Sequence, residues 1–240
     1  MKPVIFVSES VDATLYNTLQ QMGEVIVIQK LDKCYEAVAS HSDTQLAVIE
    51  KELFIDADAY QKVLIDMSRL DSQYRQHLNI VKSNLGNRYP LSVPFNGKFI
   101  PNKSRWIHNM DVSDKEILRY ISNHDIEMIH VSQGYTGCSL LMITETAGIT
   151  SDLGIHKSLR KLNYDIMLIE PGGIDLPGMD YGFIGGCCGV YNKTVYVNGD
   201  LNTHKNGAAI KAFINNYNLG TFEIKNKPLC DIGGIIFWSL

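Results

Sequence analysis

The sequence predicts an α/β fold of five ββαβ units set in a pseudo-symmetric ring, a propeller whose fifth unit is closed by the N- and C-terminal segments. Three observations predict it. Four segments each read as two short apolar strands around a tight turn: QLAVIEKELFID (45–56), LSVPFNGKFIPN (91–102), SLLMITETAGITSD (139–152) and GVYNKTVYVNGD (189–200). Their turns begin at Glu50, Asn96, Thr144 and Asn192, at intervals of 46, 48 and 48 residues, and a fixed period of this size marks a repeat architecture. A further step of 48 lands on residue 240, where GGIIFW (233–238) supplies one strand, and the N-terminal stretch supplies the strand, helix and strand that such a unit lacks.

The elements follow in order. PVIFVS and EVIVI are apolar strands on either side of ATLYNTLQQMG, a helix whose Leu15, Leu19 and Met22 share one face. Residues 29–44 bridge to the first hairpin, and 64–90 form a polar, helix-like insertion. In the second hairpin Asn96-Gly97 is the strongest turn signal, because that pair suits a type I′ turn. In VSDKEILRYISNHDIEMIHV, Ser113 and Glu116 read as a capping box and Ile117, Tyr120 and Ile121 as an apolar stripe, with IEMIHV as the strand that follows. HKSLRKLNYDIMLIE and AAIKAFINNYNLGTFEI repeat that plan, separated by the Gly/Pro loop EPGGIDLPGMD (170–180). None of the insertions reads as a boundary, so residues 1–240 are expected to form a single domain.

Composition narrows the function classes. Hydrophobic residues make up 45% and charged residues 20% of the chain, values of an ordinary globular protein. A net charge of −4 without a basic run argues against nucleic acid and anionic membrane as partners. The start, MKPVIFVSES, lacks the basic region and long apolar run of a signal peptide, and no segment approaches the ~18 apolar residues of a membrane span. Five cysteines with no Cys-x-x-Cys pair suit reduced thiols in a cytoplasmic protein.

Four polar phrases occupy the same place in their units, just before or at the first strand of each hairpin: HSDTQ (41–45), QGYTGCS (133–139), DYGFIGGCCG (180–189) and PLCDIGGII (228–236), with YPLS (89–92) contributed by the second unit. Equivalent positions in a ring converge at one end of its central channel and make a concave site. The residues brought there are His41, Asp43, Gln45, Gln133, Tyr135, Cys138, Cys187, Cys230 and Asp231. His41 and Asp43, two apart, point to the same side if their segment is extended. Cys34, Cys138 and Cys188 read more as packing than as catalysis, since cysteine is among the most buried residues. Cys187 stands apart because Gly185, Gly186 and Gly189 open its surroundings. Asp231 before Gly233-Gly234 and the His41/Asp43 pair also fit turn-forming roles, and Tyr135 a half-buried wall. GFIGGCCG has no following Lys-Ser/Thr and leads into a hairpin, so it is not a P-loop, and adjacent cysteines lack the spacing of a zinc knuckle. No metal and no cofactor are expected.

The ring plan, cut inside one unit, resembles the pentein fold of the guanidino-group-modifying enzymes: arginine deiminases, dimethylarginine hydrolases and amidinotransferases. The four polar phrases look closer to an uncharacterised bacterial branch of that fold. The resemblance implies a Cys thiolate that attacks a guanidinium carbon, a His that serves as acid and base, and two carboxylates that hold the cation. It also implies a nucleophile in the fifth unit and a His in the third. Cys230 is in the fifth unit, although alignment of the following strand puts Ile232 nearer the nucleophile's place. The third-unit position reads Gln133-Gly134-Tyr135, with no His, whereas a first-unit carboxylate has its counterpart in Asp43. The expected function is therefore a Cys-dependent hydrolase or transferase acting on a guanidine- or amidine-bearing small molecule. Cys187, His41 and Cys230 are the expected catalytic residues, and Asp43, Gln133, Tyr135, Cys138 and Asp231 the expected substrate-binding ones. The rivals are a non-catalytic binder of a cationic small molecule in the channel and a protein-interaction ring.

Overall fold

The computed structural model describes residues 2–240. The chain starts with β1 (Val4–Ser8), α1 (Ala13–Met22) and β2 (Glu24–Ile28). A helical turn α2 (Ser42–Gln45) then leads into β3 (Leu46–Ile49), β4 (Glu52–Asp56), α3 (Ala57–Arg69), α4 (Ser72–Gln76) and β5 (Leu78–Val81). Next come β6 (Lys98–Ile100), β7 (Arg105–His108), α5 (Lys115–Asn123) and β8 (Glu127–His130). A second helical turn, α6 (Thr136–Ser139), precedes β9 (Leu140–Met142), β10 (Ala147–Thr150), α7 (Leu153–Lys161) and β11 (Asp165–Leu168). The last part holds β12 (Ile174–Asp175), β13 (Cys188–Tyr191), β14 (Thr194–Val197), α8 (Gly207–Asn216), β15 (Gly220–Phe222), β16 (Leu229–Cys230) and β17 (Ile236–Trp238).

Five three-stranded sheets share one wiring: β3-β4-β5, β6-β7-β8, β9-β10-β11, β13-β14-β15 and β17-β1-β2. In each, the first pair is antiparallel and the second parallel. The fifth joins the two ends of the chain, with Phe6 opposite Ile236 and Val4 opposite Trp238. β12 and β16 form a separate parallel pair. Among the described residues, no sheet closes on itself.

The middle strands explain the packing. Successive side chains of a strand point to opposite faces, and a strand buried on both faces reads as a continuous apolar run. In β1, Val4 and Phe6 enter one apolar cluster with Leu53, Ile55 and Trp238, whereas Ile5 and Val7 enter another with Leu15, Ile232 and Ile235. β4 does the same, with Leu53 and Ile55 on one side and Phe54 beside Trp106 on the other. In β7, Trp106 and Ile107 belong to different clusters. Each cluster thus cements two consecutive sheets.

Two local expectations are corrected. Asn96-Gly97 is not a hairpin turn: it precedes β6, and the chain reverses instead at Pro101–Lys103 and the left-handed Ser104. Gly97 lies so close to the Trp106 ring that a Cβ would sit 2.0 Å from it, so close approach, not turn geometry, requires the glycine. The helix cap is Asp114, not Ser113, with its Oδ1 accepting from the Glu116 N–H at 2.8 Å. The hairpin at Asn192-Lys193 is as expected, both residues having positive φ. Among the described residues, no helix is long and apolar enough to cross a membrane.

Trp238 ties the ends of the chain to the first hairpin. It is fully buried, its Nε1 donates to the Lys51 carbonyl at 2.7 Å, and it packs edge-on against Tyr74. Trp238→Ala is expected to destabilise the fold by about 3–5 kcal/mol, read as a lower urea midpoint, and Trp238→Phe by less.

Candidate functional site

α2 and α6 are single helical turns placed just before the first strands of their sheets, and they hold Asp43 and Cys138. His41 precedes α2 in extended backbone, and Asp43 lies in its first turn. The segment is therefore not extended as expected, yet both side chains converge. Gln45 anchors it from within, its Nε2 donating to the carbonyls of Gln29 at 3.0 Å and Ala39 at 2.6 Å. α6 holds Cys138, and Asn96 grips that residue twice. The Asn96 Oδ1 accepts from the Cys138 N–H at 3.2 Å, and the Asn96 Nδ2 lies 3.3 Å from Sγ.

The Cys138 thiol donates to Asp43 Oδ2 at 2.8 Å. Donor atoms of His41, Asp43 and Cys138 all lie within 4.8 Å of one another, and all three residues are buried. Asp231 stands on the far side of His41, with Oδ1 3.7 Å from His41 Nδ1. It is pinned by backbone donors, Phe183 N–H to Oδ2 at 2.9 Å and Gly233 N–H to Oδ1 at 3.0 Å. A Cβ on Gly186 would sit 1.9 Å from Asp231 Oδ1, and one on Gly182 2.4 Å from its Cβ. Those two glycines of the DYGFIGGCCG stretch make room for a carboxylate, not for Cys187.

The neighbouring cavity, about 580 Å³, is lined by Asp43, Lys98, Gly137, Cys188 and Gly233 among others. Lys98 is the residue the sequence reading missed, together with Asn96. Burial pushes the Lys98 amine below its ordinary value, while Asp43 holds it up. Burial raises the Asp43 carboxyl; Asp231 adds to this, and His41, the Cys138 hydrogen bond and Lys98 oppose it. The Cys138 thiol is pushed well above the usual range by burial and by the Asp43 and Asp231 charges. His41 Nδ1 and Asp43 Oδ1 are buried without a hydrogen-bond partner.

The other expected residues lie elsewhere. Cys187 is fully buried in the apolar cluster with Ile184 and Val197, its thiol directed at the Ile184 carbonyl at 3.3 Å. It does not meet His41 because the turn before β13 aims it into the core, and Cys188, the next residue, lines the cavity. The Cys188 thiol beside it, and then burial, raise the Cys187 thiol well above its ordinary value. Cys230, half-buried in β16, has its thiol on the Asp231 carbonyl side at 3.8 Å, and burial raises its pKa too. Gln133 turns away to Asp152 Oδ2 at 3.1 Å and accepts from the Tyr135 N–H at 3.0 Å. The half-buried Tyr135 hydroxyl is 2.7 Å from Ser92 Oγ, and burial raises it. His108 fixes this loop: neutral, with its pKa lowered by burial to about 4, it donates from Nε2 to the Gly134 carbonyl at 2.9 Å.

Asp43 gives a pH-dependent prediction. Its folded pKa is raised above the ordinary 3.8, so the stability linked to its proton is present in acid and lost as pH rises through the folded value. Asp43→Asn, which never ionises and still accepts from Cys138, is expected to raise Tm near neutral pH. That gain shrinks below the ordinary carboxylate range; a gain independent of pH refutes the linkage.

No curated protein sequence matches the chain. Among solved structures it is similar to DDAH from Pseudomonas aeruginosa, a cysteine-to-serine mutant complexed with citrulline. Identity is 8% and the TM-score 0.59, over 93% of this chain and 92% of that one. C. jejuni agmatine deiminase gives 10% identity and a TM-score of 0.56 over 95% and 91% of the two chains. The N-terminal domain of ArgZ bound to product, from an arginine dihydrolase of cyanobacteria, gives 8% and 0.57 over 100% and 98%. At such identities the likeness shows the fold, the mixed α/β fold of the pentein enzymes. Residues 6–236 match the family of unknown function DUF6873, and the chain belongs to that family.

Proposed function

We propose that this protein is a single-domain, five-bladed pentein enzyme that attacks a guanidine- or amidine-bearing small molecule with Cys138. The observation that carries the reading is the Cys138 thiol 2.8 Å from Asp43, with His41 in the same buried cluster beside a cavity of about 580 Å³. The five alike sheets, with apolar clusters between consecutive ones, support the propeller. The solved neighbours named for arginine and agmatine chemistry support the substrate class. Five free thiols suit a reducing, cytoplasmic setting.

In this reading the nucleophile's role passes from Cys187 to Cys138. Without a cation, Asp43 and Asp231 hold the thiol protonated. A guanidinium entering beside Asp43 cancels that negative field and lowers the thiol pKa. The proton leaves to His41, whose Nδ1 lies 3.7 Å from Asp231 Oδ1. Sulfur then bonds to the guanidinium carbon, the carbon–nitrogen bond to the leaving amine breaks, and His41 returns its proton to that amine. Water, deprotonated by His41, releases the ureido or amide product and regenerates the thiol. Another amine in place of water makes the same intermediate a transferase.

The test is a panel of arginine-, agmatine- and methylarginine-like compounds, read by ammonia, amine and ureido-product formation. Turnover is expected to vanish in Cys138→Ser, to fall by about 10²–10⁴-fold in His41→Gln, and to persist in Cys187→Ser. Thermal stabilisation by these compounds without product indicates a non-catalytic binder, the reading favoured by the strongly raised thiol pKa.

A further inference from the structure

We propose that His41, Asp43 and Cys138 form a binding site for one zinc ion. The three residues bring an imidazole nitrogen, a carboxylate oxygen and a sulfur within 4.8 Å of one another. Around tetrahedral zinc such atoms stand about 3.4–3.6 Å apart, so no pair in the cluster needs to close by more than about 1.4 Å. A second observation points to a ligand. Asp43 Oδ1 is buried with no hydrogen-bond partner, in a residue only 6% exposed. Buried polar atoms are rarely left in that state, and a cation bound there satisfies the oxygen. His41 Nδ1, also without a hydrogen-bond partner, is 3.7 Å from Asp231 Oδ1, where it donates to that carboxylate when the other ring nitrogen holds the metal.

The donor set selects the metal. A thiolate with an imidazole is too soft and too small a set for Mg²⁺ or Ca²⁺, which take six or more oxygens. Sulfur, nitrogen and oxygen together suit zinc, and three protein ligands leave a fourth position. Asp43 lines the cavity, so that position is reachable by water or a small ligand. Binding forms a sulfur–metal bond and releases the Cys138 proton to solvent. Asn96 and Asp231 support the ligands: the first holds Cys138 through backbone and side chain, and the second faces His41 Nδ1. The adjacent Cys187 and Cys188, whose thiols lie 3.8 Å apart in an apolar cluster, take no part.

Binding is independent of turnover. The probe is Co²⁺ added to chelator-treated, reduced protein, followed by Zn²⁺. One equivalent of Co²⁺ is expected to give a thiolate charge-transfer band and intense tetrahedral visible bands, both erased by one equivalent of Zn²⁺. Cys138→Ser should lose the charge-transfer band, and Cys187→Ser should keep it. Even an outer-shell partner of a metal ligand is worth about 10–100-fold in affinity, so His41→Gln should weaken Co²⁺ binding by at least that. Where Cys138→Ser fails to fold, His41→Gln carries the test alone. Absence of the band in wild type, its survival in Cys138→Ser, or unchanged affinity in His41→Gln overturns the site. Cys138-dependent turnover without the band overturns this inference and leaves the hydrolase reading standing; the band without turnover does the reverse.

Discussion

The middle strand of every three-stranded sheet has to bury both of its faces, and the architecture depends on that constraint. β1 shows it most plainly: VIFVS has no polar face until Ser8, and its alternate side chains go to two different clusters. A strand of this kind is stable only between two neighbours, so each sheet needs a sheet on either side. The fifth sheet meets the demand with both ends of the chain, β17 against β1. Once the middle strands are fixed, the inner strands β3, β6, β9, β13 and β17 are fixed too, and the turns that precede them face the cavity.

The site works against this background of apolar burial. Two carboxylates, a thiol, an imidazole and an amine gather where water is scarce, and burial shifts several of them toward their neutral forms. The protein offsets part of the cost with backbone donors to Asp231 and with Asn96 on Cys138. It leaves the rest unpaid at His41 Nδ1 and Asp43 Oδ1. Unpaired buried polar atoms destabilise the free protein, and in both proposed readings a cation beside Asp43 supplies the partner that its Oδ1 lacks.

Three of the four hairpins were legible in the sequence, because they rest on local alternation and turn chemistry, and the closing of the last sheet by the first strand followed from the repeat period. The convergence of His41, Asp43, Cys138 and Asp231 was partly legible from their equivalent places before inner strands. Which cysteine would arrive was not. Cys138 sits in a helical turn and Cys187 in the loop before β13. A change of a few tens of degrees in such short turns decides whether a side chain faces core or cavity. The glycines around Cys187 looked like space for a ligand, yet Gly186 makes room for Asp231, Gly185 for the Gly137 and Cys138 carbonyls, and Gly189 for Ile235. Asn96 and Lys98 were hidden for a related reason. Asn96-Gly97 carries the local signature of a hairpin, and the contact with the Trp106 ring that overrides it is separated by nine residues. Lys98 looks like an exposed strand residue until the cavity is known.

The same geometry bears on why the pentein resemblance did not transfer residue by residue. The resemblance puts the His two units before the Cys, in the third and fifth units. In the proposed reading His41 is in the first unit and Cys138 in the third, so the interval is kept and the pair is displaced around the ring. The segments before all five inner strands line the same cavity, through Asp43, Gly97, Gly137, Gly185 and Gly233, so in that reading the displaced pair still reaches it. What the reading requires is the relation among the groups: a thiol against a carboxylate at 2.8 Å and an imidazole facing a second carboxylate at 3.7 Å. The distances also explain why Gln133, at the third-unit position where the resemblance expects a His, serves instead to brace Tyr135 against α7 through Asp152.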